Sequence, residues 1–319
     1  MKTKKIKKRI FWTIIVIFIL MNIVAAFHAY KFTHFSGGNF SKTKDPGKLS
    51  TLDKIQTLFL GINNPRPTNT ITPSQKFESI QLQSNKKIAC WSIKADSSKG
   101  TIILFHGYSG AKSSMLDKSD EFIKQGYSTL LVDFMGSGDS EGNQTTIGYK
   151  EAEEVKTVFD YLQKNGEKKI YLFGTSMGAV AIMKAISDYA INPAGIIIEC
   201  PFGSMYKTTC ARFKNMHVPS FPMAGLLVFW GGVENNFWAF GHRPTEYAKK
   251  ITCPTLLLYG EQDDKVTREE IDDIYKNLNC KKDLKTYKLA GHEDYLKNYK
   301  AQWVQDVQSF LNQLAAGTQ

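Results

Sequence analysis

The stretch KKIYLFGTSMGAVAIMKAISDY, residues 168–189, decides the fold. It opens with a short β-branched and aromatic run, passes through Gly174-Thr175-Ser176-Met177-Gly178, and continues as an apolar helical pattern. G-x-S-x-G between a strand and a helix is the context of a nucleophile elbow, a sharp turn that leaves the serine hydroxyl exposed. Side chains at the two glycine positions would collide with the neighbouring strand and helix, so the residue types follow from the geometry. Ser176 is the candidate nucleophile.

On either side of this stretch, short apolar runs alternate with longer amphipathic ones. Residues 87–94, 101–105, 128–134, 169–173, 195–199, 255–259 and 285–289 read as strands, and 113–125, 147–164, 177–189, 267–278 and 298–314 as helices. TIILF, TLLVDF, GIIIE and TLLLYG lack polar alternation, which suits parallel strands buried on both faces. The alternation predicts an α/β fold with a mostly parallel, doubly wound sheet over 77–314, its first one or two strands antiparallel. Residues 203–248 interrupt the rhythm with a connection too long for an ordinary loop, so they are expected to form an inserted helical cap.

A base and an acid are expected after the nucleophile in chain order, each in a loop beyond a strand. LKTYKLA leads into Gly291-His292-Glu293, and PTLLLYG into Glu261-Gln262-Asp263-Asp264. His292 is expected to take the Ser176 proton and return it to the leaving group, while a carboxylate fixes the imidazole tautomer. Asp263 or Asp264 can supply that carboxylate, and Glu199, at another strand end, is a weaker rival. Upstream, TIILF ends in His106-Gly107-Tyr108-Ser109-Gly110, where the Tyr108 N–H can join that of Met177 as an oxyanion hole. His106 precedes the serine and is read as ordering that loop. Residues 133–140, DFMGSGDS, are read as a structural glycine turn. With neither HExxH nor a G-x-x-x-x-G-K-[ST] loop, no metal and no cofactor are expected.

The chain has 319 residues, 42% of them hydrophobic and 22% charged, a globular composition. Its formal charge of +11 comes largely from Lys2, Lys4, Lys5, Lys7, Lys8 and Arg9. The other cations are interspersed with acids, and no basic patch interleaved with aromatics appears, so a nucleic-acid partner is not expected. The five cysteines show no zinc-ligand spacing. After the basic tail, 1–9, residues 10–30 form a charge-free apolar stretch long enough to cross a bilayer. The cations before it place the N-terminus in the cytoplasm and the remaining chain on the far side. A cleaved signal peptide is the competing reading, with small residues at Val24-Ala25-Ala26. Residues 31–76 read as linker and lead-in, with a short helix at 49–60 between turn signals such as Asp45-Pro46-Gly47.

HGYSG, DFMGSGDS, GTSMG, GEQDDKV and AGHED, each preceded by a strand, resemble the α/β-hydrolase superfamily over about 77–314. Within it, the chain is similar to the membrane-anchored esterase and lipase-like branch that includes S33-type serine aminopeptidases and BEM46-like hydrolases. The resemblance implies a Ser176, Asp263, His292 triad with Tyr108 and Met177 at the oxyanion hole. Asp263 is preferred to Asp264 by the family's Gly-x-x-Asp-x-x-Val spacing from Gly260 to Val266. The family's D-x-R-G-x-G-x-S has Met135 in place of its arginine, which removes any salt bridge made there. The implied reaction is hydrolysis of a carboxylic ester or thioester, with Phe213, Phe221, Phe229, Trp230, Phe237 and Trp238 of the cap suited to an apolar acyl pocket. The alternatives are a peptidase with the same machinery and an inactive membrane-anchored binding protein. A further expectation is that 226–230, LLVFW, touches the bilayer beside the anchor.

Overall fold

The computed structural model describes residues 2–38, 41–43 and 49–316; the turn expected at Asp45-Pro46-Gly47 lies outside them. The chain begins with α1 (Lys2–Thr33) and α2 (Thr51–Leu60), then β1 (Phe77–Gln83), β2 (Lys87–Ile93) and β3 (Thr101–Phe105). α3 (Leu116–Lys124), β4 (Ser128–Asp133), α4 (Glu151–Lys164), β5 (Ile170–Thr175), α5 (Met177–Tyr189) and β6 (Gly195–Glu199) follow. The cap segment holds α6 (Met205–Asn215), α7 (Met223–Glu234) and α8 (Pro244–Tyr247). β7 (Thr255–Gly260), α9 (Arg268–Asn277), β8 (Lys282–Tyr287), α10 (Tyr295–Asn298) and α11 (Lys300–Ala316) complete the described chain.

The strands form one eight-stranded sheet in the order β1-β2-β4-β3-β5-β6-β7-β8. β1 and β2 pair antiparallel, as do β2 and β4, and every pairing from β4 across to β8 is parallel. The absence of polar alternation has a direct cause. Ile103 and Phe105 of β3 pack on the core beneath α4, α5 and α9, whereas Ile102 and Leu104 pack on the opposite core with Phe122 of α3 and Trp303 of α11. Each inner parallel strand is thus covered on both faces. Chain order reverses on either side of β3, and the crevice at such a switch point, beyond the carboxyl ends of the strands, is where open α/β sheets place their sites.

Several boundaries differ from the sequence expectation. β1 was not anticipated as a strand: FESIQLQ carries polar residues on both faces because it is a sheet edge. β8 lies at Lys282–Tyr287 instead of 285–289, because pairing with β7 aligns Thr255 with Lys282 and Gly260 with Tyr287, and Leu289 falls in an exposed turn. The helix expected from 147 begins at Glu151, whose buried carboxylate accepts the N–H groups of Thr146 and Gly148 and the hydroxyls of Thr145 and Thr146. Those bonds hold 145–148 as a loop, with Ile147 at a φ of 56°. The apolar stretch of 10–30 lies within the longer α1, so the basic tail from Lys2 and the first residues of the expected linker are helical too. α1 is long and apolar enough to cross a membrane, and side chains such as Phe11 and Ile14 are exposed along it.

Position 135 accounts for the missing arginine. Asp133 is paired instead by Lys112, which also contacts Asp139 and sits 4.3 Å from the centre of the Trp91 ring. Burial works against ionisation of Asp133, but the Lys112 ammonium and the N–H it accepts hold the carboxyl below its ordinary value. Met135 is buried, and its N–H donates to Glu154 Oε2 at 3.0 Å. Burial and the nearby Glu151 raise Glu154 well above the usual carboxylate range. Among the described residues, Glu154 Oε1 and Asn85 Oδ1 are both buried acceptors without a donor, and the Asn85 amide nitrogen is committed to Lys150 O at 3.0 Å. A protonated Glu154 carboxyl can act as a donor where the ionised group can only accept.

Because the folded-state pKa of Glu154 is raised, its contribution favours the fold below the unfolded carboxylate value and is lost as pH rises through the folded one. Glu154→Gln supplies an N–H where the acid holds its proton. The stability of the wild type relative to this variant is therefore expected to fall by up to about 1.4 kcal/mol per pH unit within that window. Denaturant melts of both proteins from pH 5 to 9 measure this, and parallel profiles would refute the protonated assignment.

Candidate active site

The parallel strands deliver their carboxyl ends to one edge of the sheet, and four of the following loops carry the expected residues. Ser176 stands between β5 and α5 with φ 52° and ψ −110°, a region L-residues rarely adopt. That conformation costs about 1–3 kcal/mol, and the surrounding packing enforces it. A Cβ at Gly178 would lie 2.4 Å from Phe105 O at the end of β3, and one at Gly174 would lie 2.6 Å from Ala179 N. The Ser176 N–H donates to Glu199 O at 2.8 Å, which ties the turn to β6.

His292, in the loop after β8, has Nε2 3.0 Å from Ser176 Oγ and Nδ1 2.7 Å from Asp263 Oδ2. Asp263, in the loop after β7, accepts the N–H groups of Lys265 and Val266 through its other oxygen at 2.8 and 2.9 Å. The Asp263 side chain has no exposure, whereas His292 keeps 17% and Ser176 is half-buried, so the carboxylate is shielded while the hydroxyl end remains open. Asp264 turns towards the cap, where its carboxylate and carbonyl accept Asn215 Nδ2. Glu199 is occupied by Trp303 Nε1 at 2.7 Å and Thr175 Oγ1 at 2.8 Å. Of the three candidate carboxylates, the structure brings Asp263 to the histidine.

The loop after β3 lies against the turn: a Cβ at Gly107 would be 3.7 Å from the Ser176 Cβ. Among the described residues, neither the Tyr108 nor the Met177 N–H has an acceptor, and Met177 opens α5, where unpaired amides point outward. His106 is fully buried, with Nε2 accepting Phe134 N–H at 3.1 Å and Nδ1 2.8 Å from Gly107 O. Burial lowers its pKa, and these two bonds fit the neutral ring with its proton on Nδ1. It braces the loop.

Two features depart from the sequence reading. Cys200, directly after β6, offers its sulfur within 4.8 Å of the ligand atoms of Asp263 and His292. Its only sequence signal was its place just past a strand end. Burial disfavours the imidazolium of His292, yet Cys200 and Asp263 together raise the pKa above the ordinary value. Cys200, Asp263 and His292 are also the residues that could hold a soft divalent ion, at the expense of the bond from His292 to Asp263. The second departure concerns the cap aromatics. Phe221 and Trp238 are 82% and 63% exposed, Trp230 Nε1 donates to Asn22 Oδ1 of α1 at 3.0 Å, and Phe237 stacks on Tyr149. These rings face solvent, α1 and Tyr149 of the hydrolase body.

Residues 96–230 match the family described as serine aminopeptidase, S33, a span that includes Tyr108, Ser176 and Met177 and stops short of Asp263 and His292. The chain is 25% identical over 224 residues to YqkD of Bacillus subtilis (strain 168), covering 69% of this chain and 73% of that protein. It is 25% identical over 234 residues to the lysophosphatidylserine lipase ABHD12 of Danio rerio, covering 70% of this chain and 56% of that one. The chain thus spans about half the length of this lipase relative. Among solved structures it is similar to the Pyrococcus furiosus esterase Pf2001, with a TM-score of 0.66 and 24% identity over 78% of this chain and 96% of that one.

A neutral His292 is needed to accept a proton, so kcat/KM is expected to rise with pH along one limb whose midpoint lies above 6.5. Asp263→Asn removes a group that raises this pKa, so the midpoint should move down while the rate falls by roughly 10⁴. Rate profiles from pH 5 to 9 test the pairing; a midpoint that stays or rises in Asp263→Asn excludes it.

Proposed function

We propose that this chain, which belongs to the α/β-hydrolase superfamily, is a membrane-held serine esterase that cleaves an apolar carboxylic ester or thioester through an acyl-Ser176 intermediate. The observation that carries the reading is the hydrogen-bonded line from Ser176 Oγ through both His292 ring nitrogens to Asp263, at 3.0 and 2.7 Å. His292 Nε2 takes the hydroxyl proton as Oγ attacks the acyl carbonyl, and the Tyr108 and Met177 amides receive the negative charge on the carbonyl oxygen. His292 then passes the proton to the leaving alkoxide or thiolate, and the acyl-serine remains. A water molecule, deprotonated by the same nitrogen, attacks the acyl-serine, and the acid departs as Ser176 regains its proton. Asp263 holds the tautomer and stabilises the transient imidazolium.

The apolar α1 and the cap helix packed along it favour a substrate drawn from a lipid phase. The relative named lysophosphatidylserine lipase directs the search to single-chain lipid esters. In this reading α1 spans the bilayer with its basic end in the cytoplasm and the hydrolase domain on the opposite side.

Labelling of the detergent-solubilised full chain with a fluorophosphonate probe, followed by turnover of p-nitrophenyl esters of rising chain length and of aminoacyl anilides, tests the proposal. Wild type should label and favour esters; Ser176→Ala should not label, and His292→Ala should lose roughly 10³-fold or more in rate. Anilides cleaved faster than esters would instead point to a peptidase, and a folded wild type that neither labels nor turns over would point to a binding protein.

A further inference from the structure

The last turn of α1 meets the active-site framework. A helix C-terminus leaves four carbonyls without intrahelical donors, and they must find partners elsewhere. Here the hydrolase body provides them. Phe32 O accepts the Tyr108 hydroxyl at 2.8 Å and Asn64 Nδ2 at 3.1 Å, and Thr33 O accepts the Thr145 N–H at 2.8 Å. The Phe32 and Tyr108 rings stack with centroids 4.7 Å apart and planes 9° from parallel, and the Arg212 guanidinium of the cap lies 4.5 Å from the Phe32 centroid. The Thr145 hydroxyl, in turn, bonds Glu151 at 2.6 Å and lies 3.3 Å from Met177 Sδ.

Both residues whose amides face the site therefore have side chains that reach α1: Tyr108 directly, and Met177 through Thr145. Resting on the reading of Tyr108 and Met177 as oxyanion donors, we infer that Phe32 is a positioning residue for the reaction and that the anchor's last turn is a working part of the oxyanion hole. Oxyanion stabilisation depends on donors fixed in advance, and a displacement of about 1 Å can cost on the order of 10² in rate. The Tyr108 amide sits on a loop, so its aim depends on what holds its side chain. Phe32 clamps that side chain by ring contact and by a terminal carbonyl that has no intrahelical donor. Ala25 and Ala29, on the same helix, are buried as well, so α1 is seated on the rest of the protein over more than its last two turns. A cut after Ala26 would leave Phe27–Thr33 as a remnant too short to be stable as a helix by itself.

The test uses the full-length protein in detergent micelles with a p-nitrophenyl ester. Phe32→Ala should lower kcat about ten- to a hundredfold with KM within about twofold, and should weaken a trifluoromethyl ketone, whose adduct carries the oxyanion, by the same factor. Phe32→Tyr, which keeps the stack, should restore both. Tyr108→Phe, which keeps the backbone amide and loses the bond to Phe32 O, should show the same split more weakly. The inference is overturned if folded Phe32→Ala keeps the wild-type kcat, if the loss falls on KM, or if Phe32→Tyr is as impaired as Phe32→Ala. A Ser176→Ala variant as active as wild type overturns this inference together with the proposed function.

Discussion

Everything at the site depends on the turn at Ser176, which places an L-residue at positive φ between a buried strand and a buried helix. Isolated, such a turn would relax. It persists because Gly174 and Gly178 let β5, α5 and the end of β3 approach at distances no Cβ would permit. The Ser176 N–H given to Glu199 O fixes the turn from the β6 side. The strain is held by the sheet, and the same close approach brings the loop after β3 against the serine.

Charge is distributed around this turn according to solvent access. Asp263 is shielded and bonded by two backbone amides and His292, which answers the cost of burying its carboxyl. Glu199, bonded by Trp303 and Thr175, and Glu154, bonded by one backbone amide, are fully buried, and burial raises both. These two serve as hydrogen-bonding struts: Glu199 ties the turn to Trp303 of α11, and Glu154 receives the amide of Met135. Lys112 supplies to Asp133 the positive charge that no arginine at position 135 provides.

The long apolar helix α1 and the cap share a boundary. Trp230 of α7 bonds Asn22 in the middle of the apolar stretch of α1, and Met223 of the same cap helix lines an apolar groove with Ile17, Leu20, Met21 and Val24. A polar pair within an otherwise apolar contact gives the two helices a register, since either partner left alone would be an unsatisfied polar group among apolar side chains. Further along, the helix end is capped by Tyr108, Asn64 and Thr145. The cap, α1 and the loop after β3 thus converge at Phe32.

The sequence by itself determined the sheet, because parallel strands buried on both faces leave uninterrupted apolar runs, and it marked the elbow, because its glycines are sterically required. Ser176, His292 and the neighbourhood of Asp263 were legible for the same reason: each sits just past a strand end, and strand ends can be read. The edge strands β1 and β8 were missed or displaced, since half-exposed strands carry weak patterns and take their register from a partner. The spacing from Gly260 to Val266 favoured Asp263 over Asp264, but only the tertiary structure set Asp263 against His292 and gave Asp264 and Glu199 other partners. It alone placed Cys200 beside the imidazole, supplied Lys112 to Asp133 and turned the cap aromatics towards α1 and solvent. Contacts of this kind join residues far apart in the chain, where no local periodicity records the distance between them.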